Sequence, residues 1–232
     1  MQHPVGFSIR GGRAVMVHFG ALLSNRQLLY EYTHVIFGAL LTGATILTGL
    51  AAFQLLKKRS ISDVNKKIYH KTIRLGLVLM LIFSSCEFVA GDFQMRYLVH
   101  EQPMKFAAAE GVTTTTGEKA PWTVVGYVDP KTHDMKGNID IPDVLSILSY
   151  HKTTGAVTGM KEVNKQLEKR YGTKIANHKM DYYVPANTLF WSFRVMCGFA
   201  ALLFLVSIVG LIMTRKGKES LYSHRWCLWV LA

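Results

Sequence analysis

The stretch HVIFGALLTGATILTGLAAFQLL, residues 34–56, runs for 23 positions without an Asp, Glu, Lys or Arg. At a rise of ~1.5 Å per residue, a helix of this length crosses the ~30 Å hydrocarbon core of a bilayer. Two further blocks share its character. Residues 195–213 give 19 uncharged positions, and residues 75–91 give 17 interrupted only by Glu87. The latter reaches span length if it begins at Thr72, with Arg74 snorkelling to the interface. A fourth apolar block, Trp226–Ala232, has seven residues and reads as the cut-short start of another span. Half of all residues are hydrophobic, which alone would suit a soluble domain. Their segregation into blocks is what points to a membrane.

The net charge of +12 is equally uneven. Lys57, Lys58, Arg59, Lys66, Lys67, Lys71 and Arg74 lie between the first two spans, opposed only by Asp63. Arg215, Lys216, Lys218 and Arg225 follow the third, against Glu219. Short basic loops beside spans mark the cytoplasmic side. The first span therefore runs inward, the second outward and the third inward. The segment between Asp92 and Asn187 is then external, and its 12 basic and 11 acidic residues nearly cancel. Nothing in this distribution suggests nucleic-acid binding.

The expected organisation is an all-α, multi-pass transmembrane helical bundle with an external loop subdomain. Residues 1–30 form an amphipathic lead-in broken at Gly11 and Gly12, with Asn25 as a cap for the entering helix. Residues 31–91 hold the first two transmembrane helices, 92–187 the external loop, and 188–232 the third helix with the start of a fourth. The opening MQHPVGFSIRGGRAV has no apolar core and does not read as a signal peptide. The loop is not disordered by composition: it contains Trp122, Tyr127, IDIPDVLSILSY at 139–150 and a helical pattern at 160–172. Cys86, Cys197 and Cys227 fall in or beside apolar blocks and fit neither a zinc site nor a disulfide framework. The eight histidines other than His34 suggest no ligand cluster by spacing.

Several polar residues stand out against this background. His34 lies in the mouth of the first span, where a histidine is either functional or hydrogen-bonded to backbone at the interface. Met196 lies at similar depth in the third span. Alone it reads as core filler; with His34 it supplies the donor pair of a low-spin haem. Arg194 suits either a haem propionate or the lipid–water interface. Pro103 suits the first turn of a helix that carries Lys105 and Glu110. Those two are either solvated loop charges or a donor and a base around one ligand. Glu87, inside the second span, is a candidate proton relay or a carboxylate reaching the outer interface.

The ordered motifs resemble one family. GDFQMRYLVHEQPMKFAAAEG (91–111) is similar to the start of the quinol-oxidation loop of cytochrome bd oxidase subunit I. NTLFWSFRVMCGFAALL (187–203) is similar to the helix after that loop. YEYTHVIFGALLTGA (30–44) is similar to the helix that supplies its histidine ligand. The opening MQHPV and IDIPDVLSIL…GAVTGMKEV also resemble family sequence in the correct order, so the likeness covers essentially the whole chain. It implies that His34 and Met196 are the axial ligands of the low-spin haem b, with Arg194 beside it. It implies that Lys105 and Glu110 serve quinol oxidation, in a loop of the short type.

The resemblance further implies an inner (cytoplasmic) membrane oxidoreductase with membrane lipid, quinol and a second oxidase subunit as partners. The family reduces oxygen to water at a second haem b and a haem d. The helices that carry their ligands have no counterpart here, so those haems are expected only in the intact complex, and the chain reads as a fragment. Two other readings stand beside this one. The chain is a truncated, non-catalytic membrane haem-binding module, or it is a transporter or structural membrane protein without a cofactor.

Overall fold

The structure, a computed structural model, describes residues 5–57, 61–175, 178–179, 181–215 and 220–232. The opening residues 1–4, with His3, and the charged residues Lys58, Arg59, Lys216, Lys218 and Glu219 lie outside the described residues. In chain order the elements are β1 (Phe7–Arg10), β2 (Arg13–Met16), α1 (Phe19–Leu23), α2 (Arg26–Lys57), α3 (Asp63–Glu101) and α4 (Pro103–Glu110). They continue with β3 (Trp122–Val128), β4 (Met135–Ile141), α5 (Val144–Tyr150), α6 (Met160–Tyr171), β5 (Lys174–Ile175), β6 (His178–Lys179), α7 (Ala186–Met213), α8 (Ser220–Ser223) and α9 (Arg225–Leu231). The fold is helical, and among the described residues its strands pair as three separate two-stranded antiparallel sheets.

The helices α2, α3 and α7 are long and apolar enough to cross a membrane. In the most apolar window of α7 only 11% of residues are buried within the protein. An apolar helix that exposes this much surface is suited to lipid rather than water. Asn25 caps α2 as expected: its Oδ1 accepts the Gln27 backbone N–H at 2.9 Å. Thr42, Thr45 and Thr48 on α2 donate back to carbonyls four residues earlier, at 2.8, 2.9 and 2.8 Å. Their hydroxyls are therefore satisfied without water.

The helix α3 runs past the expected span at both ends. At its start the Asn65 N–H reaches Ser62 Oγ at 3.4 Å, and Asp63 lies in the first turn. A carboxylate there suits the positive end of the helix dipole. At its far end residues 92–100 contain no Gly or Pro. Arg96 pairs with Asp92 one turn earlier at 2.7 Å, so the helix continues until Pro103 forces a new start. The first 30 residues hold the β1–β2 hairpin and α1. Gly11 and Gly12, the expected break, form the hairpin turn with φ of 57° and 73°, the backbone a two-residue hairpin loop requires.

The chain divides into two compact units. The first comprises residues 1–27 and 92–197, and the second residues 28–91 and 198–232. The core of the first is built from Phe106, Ala107 and Ala108 of α4, Leu145 of α5, Met160 and Val163 of α6, and Val128 of β3. Backbone bonds from Met160 and Lys161 to the carbonyls of Val112 and Thr113 lock α6 beside the end of α4. Asn187, in the first turn of α7, closes a two-way bond with the Val128 backbone, at 2.8 Å to its N–H and 2.6 Å to its carbonyl. In the second unit Leu41, Ala44, Ala51, Ala52 and Leu56 of α2 pack with Ile73, Leu77 and Met80 of α3 and with Leu221, Cys227 and Leu228.

Candidate functional site

The start and end of α4 are set by its own sequence. Pro103 occupies the first turn, and Gly111 ends the helix in the left-handed region at φ 74°. Pro at the start and Gly just beyond the end is the favoured arrangement. It makes Glu110 the last helical residue. A carboxylate at this end faces the negative pole of the helix dipole, and Glu110 is only 4% exposed. Two costs thus fall on one side chain, and a strong partner must offset them.

That partner is Arg194 of α7. Its Nη2–H donates to Glu110 Oε2 at 2.9 Å, and its Nη1–H donates to the Ala109 carbonyl at 3.2 Å. The guanidinium therefore neutralises the carboxylate and also caps one of the orphan carbonyls of α4. On its other edge, Nε and Nη2 both donate to the Thr123 carbonyl of β3, at 3.2 and 2.7 Å. Trp122 Nε1–H adds a second bond to Glu110 Oε2 at 3.0 Å. The Arg194 guanidinium carbon lies 4.5 Å from the centroid of Phe190, 5.0 Å from Trp122 and 5.4 Å from Phe193, within cation–π range of each.

Burial pushes the Glu110 carboxyl above the ordinary carboxylate range, opposed by the charge of Arg194 and by the hydrogen bonds from Arg194 and Trp122. Both donors converge on Oε2, which leaves Oε1 as the oxygen that can take or release a proton. Lys105, five residues earlier on α4, is half-buried.

The sequence assigned Glu110 and Arg194 to separate tasks. The structure joins them in one ion pair, 84 residues apart in the chain. Trp122 and the Thr123 carbonyl complete the arrangement, and sequence reasoning missed their part. Trp122, the one tryptophan of the segment between the second and third spans, was the available signal. The backbone carbonyl of Thr123 leaves none.

His34 and Glu87 meet inside the second unit. His34 Nδ1 lies 3.1 Å from Glu87 Oε1, and the side chains are 22% and 14% exposed. The approach is not in hydrogen-bond geometry: Nδ1 and Glu87 Oε2 are buried without a hydrogen-bond partner. Glu87, read from sequence as a separate candidate, is thus the neighbour of His34. Met196 belongs to the first unit and is 47% exposed. Among the described residues no three of His, Cys, Asp and Glu gather into a metal site. An iron carried in a porphyrin needs only axial donors. The donor types of His34 and Met196, an imidazole nitrogen and a thioether sulfur, suit that demand, and a carboxylate lies on the Nδ1 side of His34.

The whole chain, residues 1–232, matches the family described as cytochrome bd terminal oxidase subunit I. It is 39% identical over 231 residues to the cytochrome bd ubiquinol oxidase subunit 1 of Bacillus subtilis, covering 100% of this chain and 47% of that protein. It is 25% identical to the cytochrome bd-II ubiquinol oxidase subunit 1 of Escherichia coli, covering 98% of this chain and 53% of that one. That alignment extends over 280 positions, so the E. coli protein carries additional residues within the matched region. The bd oxidase structure from Geobacillus thermodenitrificans superimposes with a TM-score of 0.79 at 25% identity, covering 99% of this chain and 48% of that one. The chain spans about half the length of the relatives it matches.

Proposed function

The chain belongs to the cytochrome bd terminal oxidase subunit I family, and we propose that it forms the electron-entry part of a membrane quinol oxidase. Quinol is oxidised at the loop carrying Lys105 and Glu110, on the outer face of the cell membrane. His34 and Met196 would hold a low-spin haem b, which would supply the electron acceptor. The intact complex would add a second subunit, a second haem b and a haem d, at which oxygen would be reduced.

One observation carries this reading: the buried bond between Glu110 and Arg194. It ties the loop carboxylate assigned to quinol to the turn of α7 that also carries Met196. A proton acceptor for quinol and a ligand for the electron acceptor are then coupled through two residues of one helix.

Quinol oxidation releases protons and electrons together, so a base must stand at the donor oxygen. Glu110 Oε1 serves as that base. Trp122 and Arg194 hold Oε2 and so fix the direction in which Oε1 points. Lys105, on the same short helix, orients the quinol oxygen as a donor. Arg194, engaged by two carbonyls as well as the carboxylate, keeps a compensating charge beside Glu110 in either protonation state. A haem held by His34 and Met196 would supply a one-electron acceptor.

The test is a reduced-minus-oxidised optical spectrum, taken in membranes containing the oxidase. His34→Ala and Met196→Ala each convert the low-spin b-type signal to high spin or remove it. Glu110→Gln leaves that signal in place and slows quinol oxidation by about a hundredfold, the usual contribution of a positioned base. A low-spin signal that survives both ligand substitutions sinks the haem assignment. An unchanged rate in Glu110→Gln removes Glu110 from the chemistry.

A further inference from the structure

We propose that Glu87 is a positioning residue for His34: its carboxylate takes the Nδ1 side of the imidazole, fixes the ring's orientation and leaves Nε2 as the iron ligand. This rests on the reading of His34 as an axial ligand and adds a function for a residue that the quinol chemistry does not use.

The argument begins with cost. A carboxylate within a membrane-spanning helix is expensive unless it reaches water or a partner. Glu87 lies well inside α3, with Arg74 and Asp92 as the nearest charged residues in sequence on either side. Its side chain is 14% exposed, and its Oε1 stands 3.1 Å from His34 Nδ1. The sequence left open an acid reaching the outer interface. The structure instead turns this one toward the imidazole.

The backbone on both helices makes room for the pair. Gly38 is one turn after His34 on α2, and Gly91 is one turn after Glu87 on α3. A Cβ at Gly38 would lie 3.4 Å from Glu87 Oε1, and a Cβ at Gly91 would lie 3.9 Å from His34 Cε1. Each glycine therefore faces the polar group of the opposite helix. Small residues at this spacing let two membrane helices approach closely, and here the space holds an acid and an imidazole.

The pair is also incomplete as it stands. His34 Nδ1 and Glu87 Oε2 are buried without hydrogen-bond partners, which is costly in an apolar setting. A rotation of the imidazole brings an Nδ1–H onto the carboxylate. Coordination through Nε2 fixes the same tautomer, because a metal-bound histidine donates its other ring N–H to a carboxylate or carbonyl. Metal ligation and the Glu87 contact thus favour one ring orientation. The carboxylate also makes the imidazole a stronger donor, which favours the ferric state.

The experiment compares the unmutated oxidase with Glu87→Gln, Glu87→Leu and His34→Ala in membranes, normalised to subunit content. Low-spin haem is quantified optically, the ferric site is characterised by its low-spin paramagnetic resonance spectrum, and the midpoint potential is measured by titration. Glu87→Gln is isosteric and should keep the low-spin haem. It should shift the reduced-to-oxidised ratio at fixed potential about tenfold toward reduced, equivalent to about 59 mV for a one-electron couple. Glu87→Leu, with no acceptor, should broaden the resonance signal and lower haem content. An unchanged potential and resonance spectrum in Glu87→Gln overturns the proposal while the ligand reading stands. A low-spin signal retained in His34→Ala overturns that reading, and the positioning role with it.

Discussion

Two polar pairs, one buried and one partly buried, are built in opposite ways. Glu110 and Arg194, in the first unit, are saturated. The guanidinium holds a carboxylate and two carbonyls, and Trp122 adds a further bond to the carboxylate. His34 and Glu87, in the second unit, approach to 3.1 Å and still leave two buried polar atoms unsatisfied. A saturated pair is a clamp whose geometry is complete within the protein. An unsatisfied pair in an apolar span carries a cost that the packing around it must offset. The contrast separates a carboxylate whose partners are all supplied by the fold from one that its nearest polar neighbour leaves partly unsatisfied.

The largest expected effect breaks the clamp. Glu110→Ala leaves a buried, uncompensated Arg194 and should destabilise the loop unit by about 3–5 kcal/mol. Hydrogen exchange of the α4 and β3 amides reads this directly, and protection equal to the unmutated protein would show that the pair is not a clamp. Gly111→Ala comes next. It places a Cβ on a residue with φ 74°, 2.5 Å from Met135 Cε and 3.0 Å from Phe190 Cε2, so strain and a clash combine. A loss of about 2 kcal/mol is expected from the backbone strain and overpacking, read as a lowered Tm of the loop unit. Trp122→Phe keeps an aromatic face for Arg194 but removes the Nε1–H bond, and should cost about 1.5–3 kcal/mol as a lost hydrogen bond to a charged group.

A pH series sharpens the same comparison. The folded Glu110 carboxyl is raised, so the folded unit binds that proton more tightly than the unfolded chain. Its contribution to stability is therefore full below the ordinary value of 4.5 and is lost as pH rises through the folded value. Glu110→Gln should flatten this part of the stability profile, and an unchanged slope would assign the titration to another group. The smallest effect tests the other pair. Gly38→Ala puts a methyl 3.4 Å from Glu87 Oε1, an ordinary contact. It should move the haem potential in the same direction as Glu87→Gln but by less.

Much of this architecture was legible without coordinates. The uncharged runs marked the helices that became α2, α3 and α7. Asn25 and Pro103 marked helix starts that depend on local backbone chemistry, and the 160–172 pattern marked α6. The ends of α3 were underestimated because an apolar count stops at the first charge. The helix does not stop there, since Asp92 and Arg96 pair one turn apart and support it. The β3–β4 hairpin was not anticipated either. Its strands pair Trp122 with Ile141 and Val128 with Met135, and the register shifts near its centre, which weakens any alternating pattern.

The sequence by itself determined which segments can leave water, because hydrophobic burial and helix length are additive along the chain. It also identified the residue types capable of the chemistry: an imidazole, a thioether, two carboxylates, an amine and a guanidinium. Tertiary structure alone decided which of them meet. Glu110 finds Arg194 across 84 positions, and His34 finds Glu87 on a neighbouring helix, because a buried charge must take whichever partner packing brings within about 3 Å. Pairing of that kind is set by helix packing, a sum over many weak contacts that no local pattern of residues encodes.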